Sequence, residues 1–441
     1  MDLFLTQYDP SDLPGSSLDP MGFERGYLFL ADKILPGLTN VADRPRYFSV
    51  LCGGAFLANV SPTDPPRTQY QRRLDCILRF ERFWTLANVL ATEKAGNEEL
   101  TVSGIRGVTY AKAAVESLLK RNSNRVDAEF KLLSRQMPYG VVGIYGAVAN
   151  GMRFLDRKTF ALTPDLGERL AENFLEESKA PKALLKAARD GGDVPIAQLT
   201  EWGQRSHVSG GIFPFESKCL DDALNRDPVR SRMSVELQRT PFEGVADTEI
   251  LRLTRMLPKL SAVAANKDLE ETVALILAFE QCYRLVMVGF ERLLWLCRNL
   301  PAASILPSDL ASDPMLNLVR GELPAAADEF CHLLDGSQTE LFRTEIHRLD
   351  DVRHFVERAA ACTDNDSLAD EIMRQHDDVQ KGKFDRGRRK MPWLETTGNR
   401  ISLTMTRVGG LNKEVTSAAT IAPHPYRLNS ADALISAVAV Q

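Results

Sequence analysis

The apolar residues of this chain recur at helical spacing over most of its length. In residues 68–94, TQYQRRLDCILRFERFWTLANVLATEK, a broad apolar face is built from Leu74, Ile77, Leu78, Phe80, Phe83, Trp84, Leu86 and Val89. Arg72, Arg73, Glu81 and Arg82 fall among the polar positions of the same stretch. Residues 268–300 are apolar on most sides, which predicts a buried central helix, with Glu280, Gln281 and Arg284 too polar for a membrane span. Residues 22–35 set Phe23, Leu30 and Ile34 at helical spacing. Residues 45–60 open with Pro45, suited to a first helical turn, and carry Gly53 and Gly54 where they weaken the helix. An amphipathic helix is predicted over 341–362. Near the C-terminus, WLETTGNRISLTMTRVGG alternates apolar and polar residues around Gly398-Asn399, the pattern of a β-hairpin.

The fold class that follows is mainly α and multi-helical, with a small C-terminal β-hairpin. A winged-helix-like subdomain is expected over 121–190. There, ALTPDLGERLAENF resembles the wing-and-helix segment of winged helix-turn-helix domains, with Thr163 as N-cap, Pro164 at the first helical position and Asp165 facing the helix dipole. Gly140, Gly143 and Gly146 depart from that pattern, because they weaken a helix meant for a DNA groove. The Pro-rich SPTDPPRT (61–68) reads as a loop, and Gly191, Gly192 and Pro195 as a linker. The expected organisation is a helical domain over 1–120, the winged-helix-like subdomain over 121–190, a helical domain over 191–380, and a basic segment with hairpin over 381–441.

Composition is ordinary for a globular chain, at 44% hydrophobic and 26% charged residues. The seven cysteines contain no CxxC and sit mostly among apolar neighbours, which predicts free thiols in a reducing compartment. The first residues, MDLFLTQYDPSDLPG, lack the basic and apolar regions of a signal peptide. A cytoplasmic protein is expected.

Charge changes this picture at one place. The chain has a formal net charge of −5, yet Lys381, Lys383, Arg386, Arg388, Arg389 and Lys390 are opposed only by Asp385, and Pro392 and Trp393 follow. Dense positive charge beside an aromatic suits a nucleic-acid backbone with a stacked base. The plain alternative is a solvated loop. The nucleic-acid-binding candidates are therefore Lys381, Lys383, Arg386, Arg388, Arg389, Lys390 and Trp393.

Other constellations are weaker. His347 and His354 flank Asp350 and Asp351 in HRLDDVRH, but histidines seven apart on a helix stand roughly 10 Å apart, too far for one ion. His376, Asp377 and Asp378 with Lys381 or Lys383 could suggest a metal nuclease, although the segment reads as a helix ending at Gly382. In WGQRSHVSGG (202–211), Ser206-His207 is an adjacency and not a triad. Arg44 and Arg46 flank Pro45 at a helix start, a phosphate-site arrangement that structural pairing explains more simply. There is no P-loop and no dinucleotide fingerprint, and VSGIRGVTY (102–110) lacks the phosphate lysine. No cofactor and no metal site is expected, and no catalytic residue is assigned.

Two segments resemble accessory proteins of bacterial antiphage defence islands. One carries Pro36, Gly37, Thr39, Arg44, Arg46, Tyr47 and Phe48; the other carries His376, Val379, Gln380, Pro392 and Trp393. That family has no assigned chemistry. The resemblance implies a non-catalytic, nucleic-acid-contacting subunit, DNA first, beside a partner ATPase, helicase or nuclease. The alternatives are a protein–protein scaffold without nucleic acid and the metal-dependent nuclease.

Overall fold

The computed structural model describes residues 19–95, 100–300, 304–336, 345–385, 388–404 and 414–439. Helix accounts for 66% and strand for 5%, with 18 α-helices among the described residues. The mainly α, multi-helical class is as the periodicity predicts. The chain divides into two units that do not follow the expected order along the sequence. Unit 1 is Met1–Ile34 with Arg239–Tyr426, and unit 2 is Leu35–Gln238 with Arg427–Gln441. The boundaries expected near 120, 190 and 380 do not coincide with this division.

Unit 1 packs around the helix Lys267–Asn299. Its principal partner is the helix Pro314–Gly336, joined by Glu249–Ser261, Asp350–Ala360, Asn365–Lys381 and Glu24–Ile34. A stretch from Ala264 to Asn299 is long and apolar enough to cross a membrane by length and composition, but 72% of its most apolar window is buried inside the protein. Phe23 meets Phe279, Tyr283 and Phe355 at ring-centroid distances of 5.4, 5.4 and 6.3 Å. Glu280, the charge that interrupts the apolar run, is buried for a reason: its Oε1 takes His424 Nδ1 at 2.6 Å and the Tyr426 hydroxyl at 2.8 Å. Of the helix expected over 341–362, the described part is a 3-10 turn, Ile346–Leu349, followed by Asp350–Ala360.

The predicted hairpin is present as Leu394–Thr397 and Arg400–Leu403, with Gly398 at φ 64°, where a side chain would strain the turn. A short strand, Ser304–Ile305, pairs with its second arm. A second two-stranded ribbon pairs Phe384–Asp385 with Arg388–Arg389, antiparallel.

Unit 2 packs around the helix Pro66–Ala95, which crosses Arg46–Phe56 and Ile196–Arg205. Gly53 and Gly54 let two of these helices meet closely. A Cβ on Gly54 would lie 2.7 Å from the Ile77 Cα. Gly203 does the same on the other side, where a Cβ would fall 2.0 Å from the Ala87 carbonyl oxygen. Phe80, Trp84, Phe174 and Trp202 fill the space between. Glu81 is fully buried and not on the polar face. The stretch expected as a linker is ordered inside this unit: Asp193–Pro195 pairs antiparallel with Arg125–Asp127.

Within 121–190 the order is helix Val141–Gly151, hairpin Leu155–Asp156 with Ala161–Leu162, and helix Arg169–Glu177 opened by a π-turn, Pro164–Glu168. Thr163 caps that turn, accepting from Gly167 N at 3.2 Å. Helix Val141–Gly151 reads VVGIYGAVANG, carries no charged side chain, and buries Val141, Val142, Tyr145, Val148 and Ala149. Such a helix is suited to core packing and lacks the cations that hold phosphates.

Candidate nucleic-acid interface and an arginine-lined cleft

The basic run begins where the helix Asn365–Lys381 ends. Asp364 caps its start, accepting from Ser367 N at 2.7 Å, and Gly382 closes it. His376, on the last turns of this helix, is buried. Its Nδ1 lies 2.9 Å from the Pro20 carbonyl and its Nε2 accepts the Trp393 N–H at 2.8 Å. A carbonyl needs a proton on Nδ1 and an N–H needs a lone pair on Nε2, so these partners assign the neutral Nδ1–H tautomer. Burial pushes the imidazole down to about 4; the Pro20 carbonyl opposes this and the Lys383 ammonium adds to it. With both nitrogens used, His376 is an anchor and not a metal ligand.

Lys383 turns inward. It is 4% exposed and donates to the Asp19 carbonyl. Burial lowers its amine, while the charges of Asp19 and Glu24 pull the other way. The Asp19 carboxylate in turn accepts from the amides of Gly22, Phe23 and Glu24 at 2.9 to 3.1 Å. The Lys383 carbonyl accepts Lys390 N–H at 3.0 Å, which closes the base of the ribbon. Trp393 also packs inward, its ring 5.8 Å from Phe290 and 5.7 Å from His376. Lys383 and Trp393 thus root the basic segment and are withdrawn from the exposed candidate set. Lys381 is exposed and pairs with Asp377. Arg388 and Arg389 form one arm of the ribbon, Lys390 follows it, and Arg386 lies outside the described residues.

The residues of the nuclease alternative are not gathered. Asp377 is engaged by Lys381, Asp378 stands exposed, and Lys383 is taken by Asp19. Among the described residues no group of three His, Cys, Asp or Glu is placed to hold a metal ion, His347 and His354 included. Ser206 donates to the Trp202 carbonyl inside the fold, and His207 bridges Thr92 and Ser209 at 3.0 and 2.8 Å with no acid behind it. All seven cysteines are free, five of them buried.

Unit 2 holds a second site. A cleft of about 470 Å³ is walled by Arg44 and Arg46, by Val208 and Ile212, and by Ala433 and Ser436 of the helix Leu428–Ala439. Arg46 is buried and fully engaged in structure. It pairs with Glu216 at 2.7 Å, donates to the Gly211 carbonyl, and lies over the Phe213 and Phe174 rings at 4.6 and 5.5 Å. Arg44 differs, because among the described residues its side chain makes no hydrogen bond or ion pair. The guanidinium lies against Gly104, where a Cβ would come 2.8 Å from Nη2. Arg106, two residues on, likewise has no side-chain partner among the described residues.

A tyrosine pair positions both. Tyr47 and Tyr145 stack at 4.8 Å, and both hydroxyls accept backbone amides, Tyr145 from Arg44 at 3.2 Å and Tyr47 from Arg106 at 2.8 Å. Gly104 and Gly107 take φ of 82° and 77°, so the turn carrying Arg106 depends on glycine at both ends. Set against the P-loop pattern, these glycines read as an incomplete motif. Arg106 carries no signal of its own in the sequence.

Compared with protein-family models, with curated proteins and with solved structures, the chain matches none of them.

Proposed function

We propose that this protein is a non-catalytic subunit that contacts nucleic acid, DNA first, through the ribbon at 381–390. The observation that carries the reading is the concentration of cations there in a chain of net charge −5, on a two-stranded ribbon rooted by Lys383, His376 and Trp393. A rooted ribbon holds its charges in register with a phosphate backbone at lower entropic cost than a free loop does. Trp393 acts as part of the root in this reading, and base stacking is not assigned to it. The resemblance to defence-island accessory proteins makes a cytoplasmic antiviral complex the context, with an ATPase, helicase or nuclease as partner.

Fluorescence anisotropy with labelled duplex and single-stranded DNA across a salt series tests this. Replacing Arg386, Arg388, Arg389 and Lys390 with Ala should weaken binding and flatten the salt slope by about 0.9 for each duplex phosphate no longer neutralised. Unchanged affinity in that variant removes the nucleic-acid reading and leaves the ribbon as a docking element for an acidic protein partner. Retention of neighbouring gene products after nuclease treatment would then identify the scaffold.

A further inference from the structure

We propose that the cleft beside the helix Arg46–Phe56 in unit 2 is a binding site for a phosphate monoester, with Arg44 as its principal contact. The charges around it do not close without a ligand. Glu216 is consumed by Arg46 and by the Ser49 hydroxyl. Glu81, the buried carboxyl near Arg106, is held by Gln136 Nε2 at 2.7 Å and by Val141 N at 2.7 Å. Asp43 stands exposed at the rim. Arg44 and Arg106 are left half-buried, of like charge, near the same tyrosine pair.

Two such guanidinium groups favour a dianion. A phosphate monoester carries a charge of about −1.5 to −2 at neutral pH, where a carboxylate carries one. The Arg fork matches phosphate oxygens in pairs. The helix Arg46–Phe56 begins at this wall with no side-chain cap, so its dipole adds in the same sense. Pro45, Val208, Ile212, Ala433 and Ala437 supply apolar walls for the organic part of the ligand. The volume falls within the range of small-molecule sites. Gly104 is the device that lets the Arg44 guanidinium lie flat where it does.

Isothermal titration of the intact chain in phosphate-free buffer tests the site. The probes are inorganic phosphate, AMP, adenosine, acetate, and a thymidine trinucleotide with and without a 5′-phosphate. Phosphate and AMP should bind, and adenosine and acetate should not. Arg44→Gln should weaken AMP at least tenfold, and Arg44→Gln with Arg106→Gln should abolish it, at unchanged melting temperature. Tighter binding of AMP than of the 5′-phosphorylated trinucleotide assigns a free nucleotide as the source. The reverse order assigns the end of a nucleic acid. Should Arg44→Gln fail to fold, Ser436→Phe replaces it, since it fills the cleft from an exposed position of the last helix. Loss of binding in that variant supports the site. No heat with any phosphate-bearing probe, acetate binding as tightly as phosphate, or full AMP affinity in these variants overturns it. The ribbon variant should bind AMP normally, so the failure of one site leaves the other standing.

Discussion

Glu81 in unit 2 and His376 in unit 1 do the same job with opposite charge logic. Each is buried, and each accepts a backbone N–H that starts another element: Val141 at 2.7 Å for Glu81, Trp393 at 2.8 Å for His376. Burial pushes the Glu81 carboxyl up to about 7, against the pull of Gln136, Val141, Arg82 and Arg106. Burial pushes the His376 imidazole down to about 4. In both cases the fold favours the neutral form. One neutral form is protonated and the other is not, so acid should act on the two units in opposite directions. A charged residue inside an apolar run therefore signals a polar fastening, and its environment sets the sense of its pH response.

The largest expected effect uses the third buried carboxylate as a control. Glu216 differs from Glu81 in having a cation against it. Arg46→Ala would turn it into an uncompensated buried charge, at a cost of about 3–5 kcal/mol. Denaturant unfolding at pH 7 measures this, and a loss under about 1 kcal/mol, the range of an exposed pair, would show that Glu216 is neutral or hydrated.

The pH comparison comes next. The Glu81 contribution is full below pH 4.5 and is lost as pH rises through about 7. The His376 contribution is full above pH 6.5 and is lost as pH falls through about 4. Each shift amounts to something on the order of 3 kcal/mol. Native-state hydrogen exchange, corrected for the intrinsic rate at each pH, should show Val141–Gly151 better protected at about pH 5 than at about pH 7.5. Amides of Asn365–Lys381 and of Trp393 should show the reverse. Parallel changes in the two units would break the comparison.

Two neutral isosteres sharpen it. His376→Phe keeps the ring contact with Phe290 but loses both hydrogen bonds, and should destabilise unit 1 by about 1–3 kcal/mol while flattening its pH response. Glu81→Gln keeps an acceptor for Val141 and should flatten the response of unit 2. A pH profile unchanged by Glu81→Gln would move that titration to another group. The smallest effect is expected at Lys381→Ala, which removes an exposed pair with Asp377 worth about 0.5 kcal/mol or less. Its unfolding curve should overlay that of the parent chain.

Much of the fold was legible because helical periodicity is a local property. The helices at 24–34, 46–56, 66–95 and 267–299 fall where the apolar spacing puts them. The Thr163 cap and the Gly398 turn are equally local, since a cap or a turn is made by residues within a few positions. The candidate sites were less legible. Lys383 looks like its neighbours in the basic run, yet it reaches a carbonyl contributed from the far end of the chain, at Asp19. Trp393 reads as a stacking residue until Phe290 and His376 are set beside it. Arg44 and Arg46 look equivalent across Pro45, and only Glu216 and Gly211 separate the engaged one from the other.

By itself, then, the sequence determined which segments are helical, where they begin and stop, and where positive charge gathers. These depend on neighbours within one or two helical turns. The tertiary structure decided which charged side chains turn inward, because that depends on partners hundreds of residues away. It also decided the division into units, since the chain leaves unit 1 after Ile34, returns at Arg239, and leaves again after Tyr426. Burying a charge is costly unless a specific partner meets it, and no local pattern says where that partner will be.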